Sequence, residues 1–128
     1  MQNQDGPEIT LKASGTLAAL QFHIVTLDTA GRVKQATDAD VAVEPMLGVL
    51  QNEPTAIDQE AVVRVSGVAK VMFTGIIAPG VAVTTDTSGH AVAAVANDWV
   101  LGVTLETSAA GGLAAVLLGQ VVGYVVPT

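Results

Sequence analysis

Alternation of apolar and polar residues, with little helical periodicity, runs through the chain. EITLKA at 8–13 places Ile9 and Leu11 on one face and Glu8, Thr10 and Lys12 on the other. In LQFHIVTL at 20–27, Leu20, Phe22 and Ile24 oppose Gln21, His23 and Val25, and in the returning RVKQA, Val33 points inward between Arg32 and Lys34. Further Val-rich and Thr-rich segments follow: MLGVLQ, AVVRV, VAKVMF, VAVTT, HAVAAV, VLGVTL, AAVLL and VVGYVV. Gly, Pro, Asn and Asp separate them every eight to twelve residues or so, which predicts an all-β barrel or sandwich. The Ala-rich run 91–96 fits either a strand or one turn of helix, and 37–45, acidic and closed by Pro45, reads as a loop with a short strand.

The order of segments occurs twice. LDTAGRV at 27–33 answers TDTSGHAV at 85–92, and LGV recurs at 47–49 and 101–103. The offsets are 86 − 28 = 58 at the aspartates and 101 − 47 = 54 at the leucines, a difference that a loop can absorb. After each LGV comes a polar or small-residue loop and a second apolar run, AVVRVSGVAKVMF or LAAVLLGQVVGYVV. Two copies are too few for a solenoid, which needs three or more, so the pattern predicts one small domain built from two similar halves. Residues 16–128 are assigned to it, with pseudo-repeats at about 19–75 and 77–128, and residues 1–15 are assigned to an extended N-terminal arm. The arm's strand has no obvious mate. It can add to an edge of its own sheet or to a neighbour's, where main-chain hydrogen bonds would supply affinity.

Composition narrows the function more than the fold. Half of the 128 residues are apolar but only 3% are aromatic, so the core must be made of Val and Ala around Phe22, Phe73, Trp99 and Tyr124. With a mean hydropathy of +0.53, some apolar surface is expected to be covered by other subunits. The net charge of −7 and five scattered basic residues argue against nucleic-acid binding, which needs clustered Lys and Arg. No cysteine is present, so disulfides and thiolate metal sites are excluded. MQNQDGPE lacks the features of a secretory signal. The uncharged stretch 107–128 contains a GxxxG at Gly119 and Gly123, but its dense apolar part, 113–126, is short of the roughly 20 residues of a membrane helix.

The candidate reactive groups read as structural. Asp28 and Asp86 occupy equivalent turns, where Asp favours local hydrogen bonding. His23 falls on the polar face of a strand and His90 follows a turn glycine; with no HxH, HxxE or HxxxH spacing, both are expected at the surface and no metal site is expected. There is no GxSxG elbow and no phosphate loop, and no cofactor is expected. Convergence of polar groups, the usual mark of an active site, is lacking. Trp99, standing where the first copy has Pro45, is either a core residue or an interface anchor.

Four segments carry a family resemblance: LGVLQNEP at 47–54, AVVRVSGVAKV at 61–71, APGVAVTTDTSGHAV at 78–92 and WVLGVTLETSAAGGLAAVLL at 99–118. In their Gly and Val positions the chain resembles the capsid cement, or decoration, proteins of tailed bacteriophages. The resemblance implies a non-enzymatic virion protein, made in the bacterial host cytoplasm, that binds the outer capsid surface as a homotrimer at three-fold or quasi-three-fold positions. It also implies the major capsid protein as partner and reinforcement of the shell as the role. On this reading residues 1–15 are a latch to the capsid, with Ile9 and Leu11 as its buried side chains. Other β-rich virion components, such as a head spike or fibre base, share these features. VAKVMFTG is also similar to the hairpin that carries the modified Lys of lipoyl and biotinyl carrier domains, although Lys70 has Ala69 and Val71 as neighbours.

Overall fold

A computed structural model of the chain describes residues 8–36, 47–94 and 100–121, and these form ten strands with no helix among them. The strands are β1 (Glu8–Lys12), β2 (Ile24–Leu27), β3 (Val33–Gln35), β4 (Gly48–Leu50), β5 (Glu60–Arg64), β6 (Gly67–Met72), β7 (Ala82–Thr85), β8 (Ala91–Ala93), β9 (Val100–Thr104) and β10 (Leu113–Val121). They build two antiparallel five-stranded sheets of one topology, ordered β1-β5-β4-β2-β3 and β6-β10-β9-β7-β8. In each, the two edge strands meet only at an isolated parallel bridge, Ala13 to Val33 and Phe73 to Ala91. The sheets curl but do not close into barrels.

Strand n of the first sheet therefore matches strand n + 5 of the second, and the unit boundary lies between β5 and β6. The sequence-derived boundary near residue 76 is displaced because β6 pairs with β10 rather than with any strand of the first sheet. The N-terminal strand finds its mate at home for the same reason: β1 pairs with β5 from Glu8 opposite Arg64 to Lys12 opposite Glu60. Residues 37–46 and 95–99 lie outside the described residues. The expected strand from residue 20 begins only at Ile24, because Phe22 takes a left-handed backbone, φ 68°.

The repeated turns have one geometry. Asp28 Oδ1 accepts from the N–H groups of Ala30 and Arg32, both at 2.9 Å. Asp86 Oδ1 accepts from those of Ser88 and His90, at 2.8 and 3.0 Å. Both aspartates thus cap hairpin turns, and Gly31 and Gly89 supply the left-handed residue, φ 79° and 75°. The glycine of each LGV has a different cause. A Cβ on Gly48 would overlap the carbonyl oxygen of Arg64, and one on Gly102 that of Leu117, so the duplicated tripeptide records the same close strand crossing twice.

Packing between the units is lopsided. Val25, Leu50, Ala61 and Val63 fill the N-terminal unit's own core with Leu17 and Val33. On the opposite face of the same sheet, Ile24, Ala36 and Val49 join the core of the C-terminal unit, against Phe73, Val83, Ala91, Leu101 and Val116. β2 and β4 are consequently buried on both faces. Main-chain bonds fix the junction: Ile24 N–H donates to Gly89 O at 2.8 Å and Met72 N–H to Phe22 O at 3.0 Å.

Overpacking at a strand crossing costs about 1–3 kcal/mol, so Gly48→Ala and Gly102→Ala should each lower the unfolding free energy by at least that much in chemical denaturation. The two turn glycines should differ. Gly31 has open space around its missing Cβ, whereas Gly89 faces Ile24 O at 3.0 Å and Gln35 Cγ at 3.2 Å. Gly31→Ala should lose about 1–2 kcal/mol from the left-handed backbone alone, and Gly89→Ala measurably more. Equal losses would mean that the junction can yield.

Candidate functional site

Duplication supplies an internal control for what the surface is for, because the outer faces of two sheets with one register can be compared position by position. On the N-terminal sheet the outward residues of β5 are Glu60, Val62 and Arg64, paired with Lys12, Thr10 and Glu8 of β1. This face is charged and internally paired. Arg64 Nη2 donates to Glu8 Oε2 at 2.7 Å, and Arg64 Nη1 to Val68 O at 3.3 Å.

On the C-terminal sheet the corresponding positions are apolar. β10 alternates exposed and buried from Leu113 to Leu118, which turns Leu113, Ala115 and Leu117 outward. Their partners across the ladder are Met72, Lys70 and Val68 of β6, and Leu117 also lies opposite Val103 of β9. Leu113 is 42%, Leu117 48%, Val103 39% and Leu105 47% exposed. Glu60 and Arg64 have become Leu113 and Leu117. The N-terminal pair Ile24 and Val49, covered by the second unit, has its counterpart in Ala82, half-buried, and Val103, 39% exposed.

One ion pair interrupts this face. Lys70 Nζ donates to Glu106 Oε2 at 2.7 Å, and the same oxygen accepts from Ala115 N–H at 2.7 Å. These donors hold the Glu106 carboxyl below its ordinary range, the Lys70 bond first. Exposed pairs of this kind contribute little to stability, but this one fixes a polar mark beside the apolar rows. Lys70 lies inside β6 rather than on a hairpin tip, which removes the carrier-domain reading.

The candidate residues from the sequence fall as follows. Leu11 is partly buried against the N-terminal core, while Ile9, on the same face, is 37% exposed at the outer end of β1. Because Ala13 is fully buried and β1 is an edge of the sheet, this segment is part of the fold. Trp99 lies outside the described residues. The apolar face has its own signal in the sequence: the charged pair of EAVVR, Glu60 and Arg64, has no counterpart in LAAVL at 113–117, which is visible only once the copies are aligned by strand.

The histidines depart furthest from expectation. His23 is 8% exposed and its Nε2 lies 3.0 Å from Nε2 of His90, although 67 residues separate them. They are partners across the junction, His23 buried and His90 half-buried, and the left-handed Phe22 immediately precedes His23. Desolvation, reinforced by the neighbouring His90, lowers the His23 pKa below the ordinary imidazole value. Burial raises the Asp86 pKa, but bonds from Thr74, Ser88 and His90 outweigh it and leave the carboxyl below its usual range.

No known family profile matches the chain, and no curated protein sequence matches it. Among solved structures it is similar to the N base of the head fibre gp8.5 of bacteriophage phi29, with a TM-score of 0.70 and 15% identity, covering 88% of this chain and 93% of that one. At that identity the likeness is one of fold.

Since exposed positions away from special features change stability by about 0.5 kcal/mol or less, L113K/L117K should unfold like the parent. It should also bind less of a fluorescent apolar dye and sediment as a smaller species at high concentration. Unchanged dye binding and sedimentation would mean that the face is not adhesive.

Proposed function

We propose that this chain is a non-enzymatic structural protein of a phage virion, and that it sits on the head as the base module of a fibre or spike. The observation that carries this reading is the shared fold over nearly the whole length of the phi29 head-fibre base, 88% of one chain and 93% of the other. The apolar face of the C-terminal sheet supports it, since a base must hold a shell on one side and neighbouring copies on another.

A second reading, a capsid cement protein, is favoured by the Gly and Val texture of 47–54, 61–71, 78–92 and 99–118. The two differ in consequence rather than in location. Both place the chain on the outer capsid surface, against the major capsid protein, as a homo-oligomer; the cement reading specifies a trimer at three-fold or quasi-three-fold sites. Three linked contacts would raise avidity by about 10² to 10⁴ over one. The exposed edge of β1, with Ile9 at its end, remains a proposed second contact.

Co-sedimentation with empty expanded heads tests the common claim. The parent chain should pellet with heads, L113K/L117K should lose at least tenfold in apparent affinity, and Ile9→Asp should weaken binding if the β1 edge takes part. Heads that become resistant to heat on binding would select the cement reading, and unaltered heads the fibre base. A parent chain that stays in the supernatant at saturating concentration would contradict both.

A further inference from the structure

We propose that His23 and His90 form a two-imidazole site for one divalent first-row transition ion of the kind imidazole favours, zinc, nickel or copper, and that the ion ties the N-terminal unit to the C-terminal unit. This goes beyond the virion reading and does not depend on it.

The far nitrogens decide where the protons sit. His23 Nδ1 lies 3.2 Å from the carbonyl oxygen of Gln21, which can only accept, so Nδ1 carries the proton and Nε2 is bare. His90 Nδ1 lies 3.4 Å from Thr74 Oγ1 and 3.9 Å from Asp86 Oδ2. Thr74 Oγ1 gives its own proton to Asp86 Oδ2, so its lone pair is free to accept from His90 Nδ1. With the His90 proton on Nδ1 the second Nε2 is bare as well; with it on Nε2, His90 donates to His23 Nε2 at 3.0 Å. Two bare nitrogens 3.0 Å apart repel unless a cation lies between them.

The geometry suits a metal ion in that role. Metal–imidazole bonds of about 2.0–2.1 Å set adjacent nitrogens about 2.8–3.0 Å apart at a right angle and about 3.3–3.4 Å apart in a tetrahedron. The ring centroids are 4.7 Å apart with planes inclined at 49°, so the rings do not meet end to end, as two lone pairs aimed at one point require. Each outer nitrogen has the backing that metal-bound histidines almost always have, a carbonyl for one and a hydroxyl with a carboxylate for the other. His90, half-buried, gives a path from solvent. Among the described residues no cluster of three or more His, Cys, Asp or Glu exists, so water completes the coordination and the site is a weak one.

Untagged protein, stripped with chelator, is the material for the test. Nickel, zinc or copper chloride should raise the thermal midpoint by a few degrees at saturation, with one ion per chain by calorimetry, and magnesium chloride should not. His90→Gln should abolish the rise. The chain has only two histidines, so long-range ¹H–¹⁵N spectra of the parent give a readout that no variant can confuse. On adding zinc, both Nε2 resonances should shift together and both Nδ1 keep their protons. A midpoint unmoved by all three ions, an equal rise in His90→Gln, or a shift of one imidazole alone would overturn the site and leave a shared proton between the rings.

Discussion

Burial of Ile24 and Val49 in the core of the other unit is the contact on which the rest of the molecule depends. A five-stranded sheet that curls without closing has one face for its own core and one left over. In the N-terminal unit the second unit covers the central strands of that leftover face, so β2 and β4 can be apolar on both sides. The hydrophobic effect, roughly 25 cal/mol per Å² of apolar surface, then acts across the junction as well as within each unit. Two sheets of Val and Ala, each thin alone, become one body.

The same arrangement leaves a remainder. Stacking two like units covers Ile24 and Val49 on the outer face of the first and leaves Val103, Leu113 and Leu117 of the second exposed, and the sequence treats the two faces differently. Where Lys12 and Glu60 meet solvent and Arg64 is paired with Glu8, Met72, Leu113 and Leu117 face outward without charge. A soluble protein could have carried charge at both sets of positions. That one face carries charge and the other does not is the physical reason to read the second face as a docking surface.

Much of the fold was legible because short-range chemistry dictates it. Asp28 with Gly31 and Asp86 with Gly89 specify a capped turn in any context, and the two LGV glycines mark a crossing too close for a side chain. Strand boundaries within the halves were less legible: β1 and β6 are equivalent in space, yet EITLK and GVAKVM share no residue at matching positions. The repeat in space therefore begins one strand earlier than the repeat in sequence. The histidine contact was beyond reach for a related reason. Alternation predicts which face a residue takes only while the strand continues, and Phe22 breaks it one residue before His23.

Side-chain footprinting with a diffusible carbene, on free chain and on chain bound to heads, tests the proposed docking through the apolar face most directly. The account predicts that labelling of Met72, Val103, Leu113 and Leu117 falls sharply on binding while labelling around Lys12, Glu60 and Arg64 persists. Protection of the charged face with the leucines still labelled would contradict it.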